Sequence, residues 1–163
     1  MISIEKVTVN MGVGASGERL EQAKKLLENI TGQKPLETVT QKRIPKWGVR
    51  KNMKIGVKVT LRGKKASDFL NKALDAVGRK ISKRSFDKEG NFAFGIKEYI
   101  DLPGVKYNPD IGMFGFDVCV TLKKWGYRLK ERKRERKKVP RKHRISKEEA
   151  ISFVKEKLGV EVV

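Results

Sequence analysis

The segment Gly12-Val13-Gly14-Ala15-Ser16-Gly17 matches G-x-G-x-x-G, the glycine spacing that lets a backbone wrap a pyrophosphate at a helix N-terminus. Glu37, twenty residues beyond Gly17, stands where a dinucleotide site would place a carboxylate for a ribose hydroxyl. The chemistry implied is that of a nucleotide-dependent enzyme, and the surroundings of the motif argue against it. The first strand of a dinucleotide fold is buried on both faces, whereas Lys6, Thr8 and Asn10 alternate here with Val7, Val9 and Met11. Glu37 follows Pro35 and precedes, rather than ends, the next plausible strand, and no series of apolar parallel strands follows. No other catalytic set emerges. There is no Ser/His/Asp arrangement, no carboxylate pair in an apolar setting and no Walker A sequence, and the one histidine, His143, lies in a run of cations. A lone cysteine excludes an internal disulfide and a multi-cysteine metal site, and Cys119 between Val118 and Val120 is expected to be a small strand residue. The expectation is a protein that is not an enzyme and needs neither cofactor nor metal.

The abundant chemistry is cationic. Thirty-nine Lys and Arg against nineteen Asp and Glu give a formal net charge of +20. Between Lys123 and Arg144 stand thirteen Lys or Arg and two Glu, a net of +11 in 22 residues. A folded domain gains nothing from such self-repulsion, so an acidic partner is expected. Polyphosphate chains reward dense cations because each neutralised phosphate releases condensed counterions. A membrane surface fits less well, since the basic run holds no amphipathic helix with a broad apolar face. No apolar stretch approaches transmembrane length and the N-terminus alternates instead of forming a signal-type apolar run, so a cytoplasmic protein is expected.

The elements that must position these groups follow from periodicity. Ile2 to Met11 alternates as a strand, and a helix is predicted from about Glu18 to Thr31, ended by Gly32. A short strand is predicted at about Thr38 to Lys42. Gln41 to Asn52 is expected to be a long basic loop, carrying Lys42, Arg43, Lys46, Arg50 and Lys51 around an exposed Trp47. Ile55 to Arg62 is the cleanest strand, with Ile55, Val57, Val59 and Leu61 on one face and Lys58, Thr60 and Arg62 on the other. A helix follows with Ala66, Phe69, Leu70, Ala73, Leu74 and Val77 in one stripe. Lys80 to Asn91 is expected to be a loop; Phe92 to Ile96 and Phe116 to Leu122 are predicted strands. Ser146-Lys147-Glu148-Glu149 is a capping-box pattern opening a terminal helix. The fold class expected is α+β: an antiparallel β-sheet with helices packed on one face and the other face open for RNA. The chain is expected to form a single domain over residues 1–163, with a basic extension at about 123–144 before the last helix.

Five motifs in order carry a family resemblance: Val9-Asn-Met-Gly-Val-Gly14, Thr31-Gly-Gln-Lys-Pro35, Val57-Lys-Val-Thr-Leu-Arg-Gly63, Gly90-Asn-Phe-Ala-Phe-Gly-Ile-Lys-Glu98 and Ile111-Gly-Met-Phe-Gly-Phe-Asp117. Together they resemble the universal large-subunit ribosomal protein family, fifth in the conventional numbering, that binds 5S ribosomal RNA. Trp125-Gly-Tyr-Arg128 and Lys142-His-Arg-Ile-Ser-Lys-Glu-Glu149 resemble its archaeal and eukaryotic branch. The resemblance spans essentially the whole chain. It implies 5S ribosomal RNA on the open sheet face, with Asn10, Gln33, Thr60 and Arg62 as contacts beside Lys58. It implies peptidyl-site transfer RNA at the Arg43 to Asn52 loop, through Arg43, Lys46, Trp47, Arg50 and Lys51. It also implies 23S-type ribosomal RNA and other large-subunit ribosomal proteins as partners; the density of charge in the basic extension, and not the resemblance, is what leads Arg132, Lys133, Arg134, Lys137 and Lys138 to be expected on that RNA. Two places depart from the family pattern: Trp125 stands where a smaller or proline-like residue is expected, and Lys130 to Val139 is unusually charged.

Overall fold

The computed structural model describes residues 1–163. Its backbone is organised by strand β1 (Ile2–Gly12), which lies at the centre of a five-stranded antiparallel sheet of order β2-β3-β1-β6-β5. The flanking strands are β2 (Leu36–Val39), β3 (Lys54–Leu61), β5 (Phe92–Ile96) and β6 (Phe116–Lys124). A two-residue strand β4 (Lys80–Ile81) pairs in parallel with β7 (Glu161–Val162) in a separate small ribbon.

Alternation decides which face is covered. Val7, Val9 and Met11 of β1, Val57, Val59 and Leu61 of β3, and Phe116, Val118, Val120 and Leu122 of β6 are all buried on one side. Helices α1 (Glu18–Thr31) and α2 (Gly63–Ala76) cover that side with Leu20, Ala23, Leu26 and Leu27, and with Ala66, Phe69, Leu70, Ala73 and Leu74. Helix α3 (Lys147–Leu158) adds Ala150 and Val154 to the same core. Gly32 takes the left-handed conformation that ends α1, with φ 62°, and its N–H donates to the Glu28 carbonyl. The expected capping box opens α3: the Ser146 hydroxyl accepts from the Glu149 amide, and the Glu149 carboxylate accepts from the Ser146 amide.

Several elements differ from their sequence expectation. Strand β2 begins at Leu36, directly after the break at Pro35, and ends at Val39. The Gln41 to Asn52 loop is a closed hairpin rather than a free loop. Thr40 and the Asn52–Met53 pair exchange backbone hydrogen bonds, as do Ile44 and Val49, and a single 3-10 turn at Pro45–Trp47 makes the tip. The last strand is β7, too short to leave a period in the sequence. The glycine motif folds back on the sheet, with the Val13 and Gly14 amides both donating to the Ile55 carbonyl.

Glu37 on β2 is held by Lys24 of α1 at 2.8 Å and Lys54 of β3 at 2.6 Å, tying the edge strand to the helix layer. The Lys24 and Lys54 hydrogen bonds lower its pKa from 4.5 to about 2. A depressed carboxylate pKa stabilises the fold above pH 4.5, and that contribution is lost as pH falls through about 2. Glu37→Gln should therefore be less stable than the parent at pH 7, and the gap should close on acidification across that window. Urea titrations at several pH values measure it; a pH-independent gap would show that the ion pairs are not its source.

Candidate nucleic-acid interface

The uncovered sheet face is built by Ser3 and, past the bulge at Glu5, the even-numbered residues of β1, by the even-numbered residues of β3 and by the odd-numbered residues of β6. The register sets them in rows. Asn10 lies between Lys58 on β3 and Asp117 on β6, and Thr8 lies between Thr60 and Cys119. Lys6 faces Thr121. Side chains opposed in this way stand about 5 Å apart, close enough to meet one ligand together. Lys6, Lys58 and Arg62 take part in none of the protein's ion pairs. Gln33, just beyond the end of α1, reaches over and donates from Nε2 to the Thr60 carbonyl at 3.3 Å. Four of the five expected face residues, Asn10, Lys58, Thr60 and Gln33, are thus adjacent, and Arg62 follows β3 directly as an exposed residue.

Four residues of this face come from β6, the last of them Lys123 opposite Ser3. Asp117, Cys119 and Thr121 fall between the buried Phe116, Val118, Val120 and Leu122. The same period of two that found the core would have found them. Asp117 puts one carboxylate in the middle of a largely cationic surface. Partial burial, and then the Asp117 charge, push the Cys119 thiol above its ordinary value. It is therefore held as a neutral thiol, in keeping with a small strand residue rather than a nucleophile. One end of the face is nearly bare backbone: Gly12, Gly95 and Gly115 surround Asn10 and Asp117 in a shallow recess. Side chains do not hold a ligand's backbone away there.

The β2–β3 hairpin extends past one end of the sheet. Arg43, Lys46, Arg50 and Lys51 on it are exposed and unpaired, and Trp47 at the tip is 71% exposed. Val49 is 5% exposed and lies outside the main core, paired with Ile44 within the hairpin.

The basic segment 123–144 is not a free extension. Tyr127, Val139 and Ile145 are buried in the main core. The Tyr127 hydroxyl accepts from the Ile145 amide at 3.0 Å. Lys130 crosses the Tyr127 ring at 5.0 Å and meets Glu5 at 3.3 Å. Glu5 is the extra residue of a bulge in β1 between Ile4 and Lys6, and is 8% exposed. Arg144 pairs with Glu89 at 2.6 Å. What projects is the stretch between these anchors. Lys133, Arg134, Arg136, Lys137 and Lys138 are exposed and unpaired, whereas Arg132 donates to the Glu135 carbonyl at 2.9 Å and is half-buried. Arg136 thus joins the projecting cations, a role the sequence expectation gave to Arg132.

Nothing in this geometry suits a dinucleotide. Both neighbours of β1 are antiparallel to it, so no parallel β-α-β unit places a helix end beside a switch point. The first turn of α1 carries Glu18 and Glu21, which repel a phosphate, and Glu37 is spent on two lysines.

Two family models match the chain. One described as ribosomal protein L5 covers residues 1–50, and one described as the C-terminus of the same ribosomal protein family covers residues 54–153. The chain belongs to the ribosomal protein L5 family. Similar proteins of this family include the large ribosomal subunit protein uL5 of Sulfurisphaera tokodaii, 52% identical over 99% of this chain and 92% of its own length. The uL5 proteins of Methanococcus vannielii and Methanococcus aeolicus are 50% and 51% identical over 98% of this chain and 90% of theirs. The boundary between the two L5 models falls in the β2–β3 hairpin. The strands on either side of it interleave, because β3 sits between β1 and β2.

The anchors of the basic segment give a stability prediction. Tyr127→Phe leaves the buried Ile145 amide without its acceptor and should cost about 1–3 kcal/mol in denaturant unfolding. Replacing Lys133, Arg134, Arg136, Lys137 and Lys138 together by Ala should leave the unfolding midpoint unchanged or raised. The opposite pattern would mean that the projecting stretch, and not its anchors, holds the segment down.

Proposed function

We propose that this protein is a structural constituent of the large ribosomal subunit, without enzymatic activity, that binds 5S ribosomal RNA on its open sheet face. The observation that carries the reading is that face: Asn10 opposite Lys58 and Thr8 opposite Thr60, Lys6 and Arg62 unpaired, and a glycine-rich recess beside Asn10. Hydroxyl, amide and cationic groups on a flat sheet suit phosphates and unpaired base edges, and no helix has to enter a groove. The β2–β3 hairpin, with Arg43, Lys46, Trp47, Arg50 and Lys51, is the part that meets peptidyl-site transfer RNA. The projecting cations of the segment 123–144, among them Lys133, Arg134, Lys137 and Lys138 beside Arg132 and Arg136, face 23S-type ribosomal RNA. Other large-subunit ribosomal proteins complete the setting. Membership of the L5 family and the uL5 relatives support this reading. The chain is taken to act as one domain, because a single core of 32 buried residues draws on all three helices and on β1, β3, β5 and β6.

A gel-shift titration against 5S ribosomal RNA and a scrambled RNA of the same length tests it. Binding should favour 5S RNA and weaken steeply with salt. Arg62→Ala should weaken it by about 1–3 kcal/mol with the fold intact. Equal affinity for both RNAs would remove the reading, and an unchanged Arg62→Ala affinity would take that residue out of the site.

The hairpin is separable. Its tip lies beyond the C-terminal end of β1, away from Thr8 and Lys6. Replacing Arg43, Lys46 and Arg50 by Ala should spare 5S binding and lower transfer-RNA occupancy of assembled subunits. Loss of 5S binding in that variant would place the hairpin in the 5S site instead.

A further inference from the structure

The second tryptophan is unexplained by any of these surfaces. Trp125 follows the last residue of β6 in the turn Lys124-Trp125-Gly126 and is 89% exposed, more than any other large apolar side chain except Met1. β6 ends opposite Ile2, so Trp125 lies at the opposite end of the sheet from the Trp47 hairpin, whose strand β3 begins beside Gly12. An indole left this far in water forgoes the burial that normally accounts for a tryptophan.

The turn that displays it is fixed. The Trp125 carbonyl is 2.7 Å from Nε2 of His143; a carbonyl only accepts, so Nε2 carries the proton and donates. Gly126 has φ 89°, a left-handed conformation that side chains resist. Tyr127, the next residue, is buried and held by Ile145. A backbone pinned on three sides presents the ring at a set place.

The ring lines an open recess of about 900 Å³ together with Met1, Lys123, Arg128, Glu131 and Arg132. Lys123 and Arg128 are exposed and form no ion pair, and one carboxylate, Glu131, lines the recess beside four cations, of which Lys124 and Arg132 are paired elsewhere. Protein interfaces also gather Trp, Met and Arg but are depleted of Lys, whereas Lys123 and Lys124 both line this recess. An aromatic face ringed by cations is instead the arrangement that holds a nucleotide, with the base stacked on the ring and its phosphate on the cations.

We propose that Trp125 is a stacking platform for one unpaired base of a ribosomal RNA loop or bulge, with Lys123 and Arg128 taking the flanking phosphates. It is an RNA site at the far end of the sheet from the hairpin, at the margin of the open face where Ser3 and Lys123 stand opposite each other. It rests on the RNA-binding reading above but not on which RNA that face prefers.

The test uses the full chain and two probes, an oligoadenylate of about six nucleotides and inorganic polyphosphate of matched charge. In a Trp47→Phe background Trp125 is the sole indole. Its emission should be quenched by oligoadenylate and not by polyphosphate, because only the first can stack. Trp125→Ala should weaken oligoadenylate binding by about fivefold or more, the range of one lost base–aromatic stack, with the salt dependence unchanged. Trp125→Phe should recover part of the loss. Lys123→Ala with Arg128→Ala should weaken both probes and lower the salt slope. Equal quenching by polyphosphate, or unchanged oligoadenylate affinity in a folded Trp125→Ala, would overturn the proposal. The 5S gel shift of the unsubstituted protein is independent of these outcomes, so failure of the ribosomal reading and failure of this site are distinguishable.

Discussion

Strand β1 is paired along both edges, and the fold depends on that pairing. β3 lies on one side and β6 on the other, so three strands share one alternation. Val7, Val9 and Met11 bring the two flanking sets of apolar side chains into a common layer, and α1 and α2 close over it. Because the side-chain period is two, one decision about register settles two surfaces at once. The residues that bury the core fix Lys6, Thr8 and Asn10 on the other side, in line with Lys58, Thr60 and Asp117. A slip of one residue would place cations in the core and valines in water, so the open face is specified as strongly as the core.

The charge is distributed by the same logic. The carboxylates on the helix side and at the ends are used structurally: Glu37 on Lys24 and Lys54, Glu149 on Lys124 and the α3 cap, Glu89 on Arg144, Glu5 on Lys130. Lys124, and then the Ser146 amide, hold Glu149 below its usual pKa, so the cap is charged at neutral pH. With thirty-nine cations and nineteen acids, full pairing would still leave a net +20. Unpaired cations stand on the open face, on the hairpin, along the 133–138 stretch and beside Trp125, and others are spread over the rest of the surface. Their mutual repulsion opposes the compact state, and a polyanion that binds only the folded form relieves it.

How much of this the sequence disclosed follows from range. Local signals were sufficient for α1, closed by Gly32, for α3, opened by Ser146 and Glu149, and for the strands in which apolar residues alternate. Asn10, Lys58 and Thr60 were found because alternation assigns faces without tertiary knowledge. Interactions between distant segments were not visible. The Glu5 bulge is met by Lys130, and Tyr127 by Ile145, and neither pair leaves a period. A count of charge in 123–144 therefore suggested a loose extension, because three apolar anchors, Tyr127, Val139 and Ile145, are few but well placed. The two-residue strands β4 and β7 are too short for any pattern. The glycine motif misleads for the opposite reason: its local spacing is right, and the antiparallel neighbours of β1, with Glu18 and Glu21 in the first turn of α1, deny it a phosphate site.

The order of the strands in space differs from their order of synthesis. The central strand is made first, yet Thr8 meets both Thr60 and Cys119, so its second edge stays open until the chain has been made as far as β6. Contacts of such sequence separation make closure slow, since the entropy of the long loop is lost before the contacts form. Throughout that interval a nascent chain carries an unpaired β-edge, the kind of surface on which other strands add themselves. Lys6 along that edge, with Lys58 once β3 has paired, makes such additions electrostatically unfavourable. The cations of the finished open face thus also stand against the half-made chain joining its own copies.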